Sequence, residues 1–293
     1  MTEKMIMLID THAHINLHAF KDDADEVLQR CFGAGVTVIN VGTEYNTSKH
    51  AVDMLAKYPE HVYAVIGLHP SHTYDNPYLD ENESASRSER EEFDYEEYKK
   101  LALHPKVVGV GECGLDYYRL PDDVSTHESI KALQKDAFLE QIKLAQELDK
   151  ALIIHCRPSK GTDDAYDDVL SILSNLSPLL SNLPLRFEIH SFTGSLDIAQ
   201  KFLDLGAYIG LNGIITFDKT GNMEQVVRGV PLEGVVLETD SPYLAPAPYR
   251  GKRNEPYYIE KVAKKIAEWK SISFEEVATI TTNNAKRLFN ISL

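Results

Sequence analysis

The feature that most constrains the fold is a series of eight short apolar runs separated by segments with helical patterns. The runs are rich in β-branched residues and lack strict polar alternation, which is typical of strands buried on both faces of a parallel sheet. They span residues 5–9, 36–41, 62–68, 107–110, 151–154, 185–189, 207–211 and 234–237. Eight strand–helix repeats predict a closed (β/α)8 barrel of the α/β class.

The intervening segments predict the outer helices. Residues 131–148 place apolar side chains at helical spacing among charged ones, and residues 195–205 do so on a smaller scale. Residues 256–293 contain two or three further helical patterns, with Ser273 followed by Glu276 as a capping-box candidate. Because no linker composition separates this part from the rest, we expect residues 1–293 to form a single domain with extra C-terminal helices.

The composition limits the partners and the compartment. The net charge is −15 at neutral pH, so we expect no broad attraction to nucleic acid or to an anionic membrane, and any phosphate binding must be local. The three cysteines lack Cys-x-x-Cys spacing, which favours a reducing compartment over a disulfide scaffold. The apolar runs are too short for a membrane span or a signal-peptide core. We therefore predict a cytoplasmic protein without a membrane or an obligate protein partner.

One acidic segment interrupts the repeat. Residues 71–100 are polar and acidic, and this stretch is long for a loop between a strand and a helix. The simplest interpretation is a solvated surface insertion. Because the segment follows the third strand, it is also expected to lie beside a site at the strand ends, where it could act as a lid. Removal of residues 76–91 without any change in activity or substrate range would refute that role.

Six residues with metal-ligand chemistry lie at or just after the ends of these runs. They are His12, His14, Glu112, His155, His190 and Asp240. The carboxyl ends of parallel barrel strands meet at one face, so residues that are far apart in sequence are expected to converge there. Four imidazoles and two carboxylates suit borderline divalent metals. The pattern predicts a two-metal hydrolase site.

The histidines and Glu112 also have simpler interpretations. His12 and His14 point to the same side of an extended segment, so they can share one metal or form a solvent-facing pair. A carboxylate such as Glu112 at the end of a buried strand is costly unless it is paired or binds a cation, and Arg119 is an alternative partner for Glu112 or for Asp116. A lone histidine after a strand is usually structural, but two at equivalent topological positions favour ligands.

Asp240 and Asp10 complete the candidate set. Asp240 is a natural last ligand and a base toward an attacking water, although it could instead cap the turn before Pro242. Asp10 is a candidate for a weak further ligand or for an acceptor that orients an imidazole. Basic residues near these positions could hold phosphate oxygens, and the loop 250–253 follows strand eight, where barrels often bind phosphate. The alternative is a solvated basic loop.

These residues occur in motifs that resemble the TatD family of metal-dependent deoxyribonucleases, within the amidohydrolase superfamily of TIM barrels. The motifs run in order over nearly the whole chain. They are IDTHAH at 9–14, GLHP at 67–70, GECGLDYY at 111–118, IHCR at 154–157, HSFTG at 190–194, ETDSPYLAP at 238–246, RGKRNEP at 250–256 and TNNAKRLF at 282–289.

The resemblance implies a role for each ligand. It implies that His12, His14 and Asp240 hold one divalent ion, that His155 and His190 hold a second, and that Glu112 bridges the two. By ligand type the ions are expected to be Zn2+, Mn2+ or Co2+, or else Mg2+ because phosphoryl chemistry often uses it, with Asp240 and Glu112 as catalytic residues. The implied activity is hydrolysis of phosphodiester bonds in DNA by an exonuclease. The predicted substrate-binding residues are His69, Arg119, Arg157, Arg250 and Arg253.

Two other functions stay open at this point. One is a hydrolase with the same metals that acts on a small amide, ester or phosphoester, which the acidic composition favours. The other is a metal-binding or interaction protein without catalysis, which would not need six buried polar residues. The long insertion and Pro158, which follows Arg157 where a polar residue is common in the family, bear on substrate access more than on metal binding.

Overall fold

The structure, a computed structural model, describes residues 6–76, 80–84, 89–176 and 185–292. Eight parallel strands form one sheet in the order β1 to β8. The strands are β1 Leu8–Ala13, β2 Val36–Val41, β3 Val62–Ile66, β4 Val107–Asp116, β5 Ala151–Arg157, β6 Phe187–Ile189, β7 Tyr208–Leu211 and β8 Val235–Leu237. The last strand returns to the first, because Ala13 bridges Ser241 and the Asp240 N–H donates to the His12 carbonyl oxygen at 2.8 Å. The predicted (β/α)8 barrel is confirmed.

Helices alternate with the strands around the barrel. Within the described ranges they are α1 Ala24–Gly33, α2 Tyr45–Met54, α3 Tyr95–Ala102, α4 His127–Glu147, α5 Asp164–Leu176, α6 Leu196–Asp204, α7 Asn222–Gly229, α8 Ile259–Lys270 and α9 Phe274–Phe289. The Ser273 hydroxyl accepts from the Glu276 N–H at 3.1 Å, so α9 starts at the predicted cap. No helix in the described part of the chain is both long and apolar enough to cross a membrane.

The barrel interior is closed at its amino-terminal end by α9. Inward-facing side chains of the strands, among them Ile9, Val65 and Ile153, form one apolar cluster with Leu288 and Phe289 of α9. A larger cluster lies between the strands and the outer helices. Polar side chains that can bind a ligand are therefore expected at the opposite, carboxyl-terminal end of the strands.

Three strands extend further than their apolar runs predict. β1 runs to Ala13, β4 to Asp116 and β5 to Arg157, so His12, Glu112 and His155 lie within strands. The predicted first residue of β1, Met5, lies outside the described residues. In β4 the register to β5 shifts between Val110 and Cys113, where Gly111 has a φ of 140°. A Cβ at Gly111 would lie 2.6 Å from a backbone carbonyl oxygen of β5, so this irregularity requires glycine.

The acidic insertion is shorter than predicted. Helix α3 starts at Tyr95, so residues 95–100 are helical and do not belong to the loop. The Asp94 carboxylate caps α3 by accepting from the Glu97 N–H at 3.1 Å, and Glu96 and Glu97 lie in its first turn. Acidic residues in a first helical turn interact favourably with the helix dipole, which explains part of the acidic run.

Candidate metal centre

All six predicted ligands converge at the carboxyl-terminal mouth of the barrel. His14, Glu112, His155, His190 and Asp240 line a cavity of about 330 Å³, and His12 lies fully buried against them. The rings of His12 and His190 stack with centroids 3.5 Å apart. Side chains from β1, β4 and β5 and from the segments after β6 and β8 thus meet at one point, as the strand order requires.

The two carboxylate oxygens of Glu112 face different histidines. Oε2 lies 3.3 Å from His12 Nε2 and 3.8 Å from His14 Nε2. Oε1 lies 2.7 Å from His155 Nδ1 and 3.7 Å from His190 Nε2. One carboxylate is therefore shared between two sets of imidazole nitrogens, as a bridging ligand would be.

Hydrogen bonds on the far side of two rings fix which nitrogen is available. His14 Nδ1 lies 2.9 Å from the Val41 carbonyl oxygen, and His190 Nδ1 lies 2.9 Å from a Glu238 carboxylate oxygen. Both partners only accept, so each Nδ1 carries a proton and donates it. When these imidazoles are neutral, each Nε2 therefore presents a lone pair to the cavity, which is how partners behind a metal ligand commonly orient it.

Asp240 closes the cluster from the β8 side. Its Oδ1 lies 3.4 Å from His14 Nε2 and 3.9 Å from His190 Nε2. Its backbone has a φ of 58°, which is the left-handed region and is uncommon for a residue other than glycine. Such strain is tolerated where the surrounding structure holds a functional side chain in place. Here the hydrogen bond from the Asp240 N–H to the His12 carbonyl oxygen fixes the backbone of Asp240.

His155 is oriented by Asp116. His155 Nε2 lies 3.1 Å from Asp116 Oδ2, while the other oxygen of Asp116 accepts from the Tyr118 and Arg119 N–H groups at 3.0 Å each. With Nε2–H donating to Asp116, Nδ1 is the nitrogen that faces Glu112. The alternative Glu112–Arg119 pair does not form in the described structure, because the Arg119 guanidinium instead lies 3.9 Å from Asp116.

The charges at this cluster are strongly coupled. Burial alone would raise the pKa of the Glu112 carboxyl, but the imidazoles of His69, His190 and His12 hold that pKa well below its usual range. Burial would lower the pKa of His190, yet the Glu238 and Glu112 carboxylates raise it to about 10. For Asp240, the bond to His14 outweighs burial and keeps the pKa below its ordinary value. The ionised carboxylates thus favour positive charge on the His190 imidazole, and a metal ion can supply that positive charge instead.

This donor set fits divalent metal ions. Triads with ligand atoms within 4.8 Å of one another are formed by His12, His14 and Glu112 and by Glu112, His155 and His190. A third joins His12, His190 and Asp240. Glu112 belongs to two of these triads, and imidazole nitrogens combined with carboxylate oxygens suit borderline divalent ions.

His69 enters the cavity as a hydrogen-bond donor. Its Nδ1 accepts from the Ser71 N–H at 3.1 Å, so the proton of the neutral ring lies on Nε2, which is 3.5 Å from Glu112 Oε1. Burial, reinforced by the neighbouring His155, lowers the pKa of His69 to about 3, which keeps the ring neutral. A neutral ring with an N–H in the cavity can donate to a substrate oxygen, in line with the predicted substrate-binding role.

The four predicted substrate-binding arginines do not share one site. Arg119 and Arg157 line the cavity, and the Arg157 guanidinium lies 4.0 Å from the centre of the Tyr118 ring. Arg250 and Arg253 instead border a neighbouring groove. Arg253 is held there by two bonds to Asp23, at 2.8 and 2.5 Å, so its guanidinium is largely committed to the fold.

The insertion contributes two acidic residues to the cavity. Asp80 accepts from the Tyr243 hydroxyl at 2.8 Å, and Glu83 lies 2.9 Å from His72 Nε2 and accepts from the Thr43 hydroxyl. The backbone is fixed by the Ala19 N–H, which donates to the Asn82 carbonyl oxygen at 2.8 Å. The predicted position of the insertion beside the site therefore holds for residues 80–84, whereas 77–79 and 85–88 lie outside the described residues.

Two buried carboxylates near the ligands, Glu238 and Glu188, were not singled out from the sequence. Glu238 accepts from His190, from the Ser191 N–H at 2.7 Å and from the Asn212 amide at 3.1 Å. Asp10, which the sequence did offer as a further ligand or as an acceptor behind an imidazole, accepts from the Thr239 hydroxyl and N–H, so it ties β1 to the residues after β8. The signal for Glu188 was a carboxylate inside an apolar run, two residues before a predicted ligand.

Glu188 is the most unusual of these partners. It is fully buried within β6, and neither carboxylate oxygen has a hydrogen-bond partner among the described residues. Its oxygens lie close to Glu238 and to His12, whose Nδ1 is also unpartnered in that part of the chain. Burial, followed by the Glu238 charge, raises the pKa of Glu188 well above its usual value.

Comparison with known families gives a match over almost the full chain. The family model described as "TatD related DNase" matches residues 9–290. The uncharacterized metal-dependent hydrolase YabD of Bacillus subtilis is 38% identical over 288 residues, which cover 98% of this chain and 100% of YabD. The 3′-5′ ssDNA/RNA exonuclease TatD of Salmonella typhimurium is 32% identical over 290 residues, covering 97% and 99% of the two chains.

A solved structure has the same architecture. The crystal structure of YjjV, a TatD homologue from Escherichia coli, aligns with a TM-score of 0.80 at 29% identity and covers 99% of this chain and all of YjjV. A dihydroorotase from Campylobacter jejuni aligns with a TM-score of 0.58 at 12% identity, a likeness that concerns the fold alone.

Proposed function

The chain belongs to the family of TatD-related DNases and is a metal-dependent hydrolase, and we propose that it cleaves phosphodiester bonds of DNA as an exonuclease with two divalent ions. The observation that carries the proposal is the division of the Glu112 carboxylate between two sets of imidazoles. One oxygen faces His12 and His14, and the other faces His155 and His190. That arrangement suits a pair of cations on either side of one carboxylate.

Each group at the cavity has a role in this reaction. Divalent ions held by these ligands would lower the pKa of a water molecule and neutralise charge on the phosphate. Asp240 is the carboxylate placed to accept the proton of the attacking water, since its low pKa keeps it ionised. His69 donates its Nε2–H to a phosphate or leaving-group oxygen. Arg119 and Arg157 hold the remaining phosphate oxygens from the β4 and β5 side.

The size of the cavity supports action at a chain end. Its volume of about 330 Å³ lies at the small end of the ~300–1,000 Å³ range of ligand pockets. It can admit one terminal nucleotide but not a duplex. Relatives over 30% identical that are named 3′-5′ ssDNA/RNA exonuclease support the same substrate class.

The test is a metal-swapped assay on end-labelled single- and double-stranded DNA, with EDTA controls and with Mg2+, Mn2+ or Zn2+ restored. We expect metal-dependent release of mononucleotides, faster from single strands. A protein that binds the ions but releases no nucleotide under any of these conditions would refute the proposed activity.

A second candidate is hydrolysis of a small amide, ester or phosphoester at the same centre. The observation in its favour is the acidic wall of the cavity, where Asp80 and Glu83 would repel an extended polyanion. A panel of lactones, dipeptides and p-nitrophenyl phosphoesters separates the two activities. Selective turnover of an uncharged amide or ester, with no release of nucleotides from DNA, would favour this candidate.

A further inference from the structure

A second groove adjoins the metal cavity. It has a volume of about 440 Å³ and is bordered by Phe217, Arg250 and Lys252 together with Asn82 of the insertion and further residues of the segment after β8. Tyr243 and Leu244 line both the groove and the cavity, so the two spaces meet at these side chains. The groove therefore adjoins the proposed site of hydrolysis.

The side chains of this groove combine free positive charge with an aromatic surface. The Arg250 guanidinium lies over the Phe217 ring at 4.1 Å from its centre, and both Arg250 and Lys252 are exposed. Neither forms an ion pair within the described ranges. Arg253, in contrast, is neutralised by Asp23 and packed on Phe20, 4.4 Å from the ring centre. Two uncompensated cations thus lie beside the cavity of a chain whose net charge is −15.

We infer that this groove binds the second nucleotide of a single-stranded nucleic acid whose terminal nucleotide occupies the metal cavity. Single-strand sites combine cationic side chains that follow the backbone with aromatic or guanidinium surfaces on which bases stack. Arg250 and Lys252 supply the cations, and Phe217 holds the Arg250 guanidinium as a stacking surface. This inference rests on the proposed nuclease function and specifies its substrate.

The separating side chains explain why the strand must be unpaired. The Tyr243 hydroxyl donates to Asp80 of the insertion, and Leu244 has a φ of 56°, so this ridge is held by a long-range contact and by its own backbone conformation. A strand that passes from the cavity to the groove has to bend over the ridge with its bases splayed. An unpaired strand can do so, whereas a base-paired one cannot without melting.

The test compares two substrates in the metal-loaded enzyme. The first is a ten-residue oligothymidylate, which reaches the groove, and the second is the p-nitrophenyl ester of thymidine 5′-monophosphate, which is confined to the cavity. The variants are the double substitution Arg250→Ala with Lys252→Ala, and Phe217→Leu. Lys201→Ala, which removes an exposed cation of α6 that lines neither space, is the matched control.

We expect the ratio of kcat/KM for the oligonucleotide to kcat/KM for the ester to fall roughly ten-fold in the double variant, because stacking and backbone contacts of this kind are lost together. The salt dependence of oligonucleotide cleavage should become shallower, which a purely structural defect would not cause. Phe217→Leu should lower the ratio less, and Lys201→Ala should leave it unchanged.

Two results would overturn the inference while leaving the nuclease intact. They are an unchanged ratio in the double variant, or equal losses on both substrates with no change in salt dependence. If the unsubstituted enzyme cleaves the ester but no oligonucleotide at all, the proposed nuclease function itself fails, and the inference fails with it.

Discussion

Glu188→Leu is predicted to stabilise the protein when metal is removed by EDTA. The structure buries the Glu188 carboxyl completely and gives neither oxygen a hydrogen-bond partner among the described residues. Its polar neighbours are Thr11, His12 and Glu238. The Thr11 hydroxyl donates to the Leu237 carbonyl oxygen at 3.1 Å, His12 Nδ1 forms no hydrogen bond among the described residues, and Glu238 adds a like charge. An unsatisfied buried acceptor costs roughly 1–3 kcal/mol, and more when it is charged.

The expected gain is about 1–4 kcal/mol in the free energy of unfolding, the range found when buried ion pairs are replaced by well-packed apolar groups of similar volume. At about 2–4 °C per kcal/mol for a chain of this class, thermal unfolding should move upward by several degrees. Glu238→Leu is the matched control. It removes an acceptor that serves His190, Ser191 and Asn212, so it should destabilise the protein.

The gain should also depend on pH. The pKa of Glu188 is raised in the folded protein, so its contribution to stability is complete below the unfolded pKa of about 4.3 and is lost as the pH rises toward the folded value. The leucine substitution removes this pH-dependent loss. The difference in unfolding free energy between variant and parent should therefore be larger at pH 8 than at pH 5. Differential scanning fluorimetry and urea titration at both pH values measure it. A variant less stable than its parent at pH 8 would show that Glu188 has a stabilising partner and would refute the reasoning.

Three further predictions concern the centre and its rim. Asp240→Asn should abolish metal-dependent phosphodiesterase activity while circular dichroism stays unchanged, and a correctly folded variant with full activity would contradict the role of Asp240 as base. Because carboxylates raise the pKa of His190 to about 10, metal binding near pH 7 must displace protons, so affinity should increase with pH. Calorimetry in buffers of different ionisation enthalpy detects this release, and buffer-independent heats would argue against it. Asp80→Asn should raise kcat/KM for an oligonucleotide about two- to five-fold at low salt by removing one negative charge from the cavity wall. Asp167→Asn, on the exposed face of α5, is its control, and an equal gain there would indicate a general charge effect.

The convergence of the ligands could be predicted because it depends on topology. Once eight buried strands are arranged in parallel around a barrel, residues at their carboxyl ends must meet, however far apart they lie in sequence. The residues at which the strands end were harder to predict. The extension of β4 through Glu112 depends on an irregular register at Gly111 that no apolar pattern encodes.

Contacts between distant loops could not be predicted from sequence patterns. The pairing of Arg253 with Asp23 joins residues 230 positions apart. Arg253 lies close to Arg250 in the sequence and was predicted to bind substrate with it, but this pairing occupies the Arg253 guanidinium. The approach of Asp80 to Tyr243 likewise depends on how the insertion packs. Glu188 could have been noticed, since a carboxylate in an apolar run is costly, but its lack of partners is visible only in three dimensions.

The number of metal ions per chain tests the central claim most directly. After loading with Mn2+ or Zn2+ and removal of free metal by gel filtration, elemental mass spectrometry on the unsubstituted protein should give two ions per chain. Glu112→Ala should reduce this to one or none, because both sets of imidazoles lose the carboxylate they share. Two ions retained by a folded Glu112→Ala variant, or fewer than two in the unsubstituted protein, would contradict a centre bridged by Glu112.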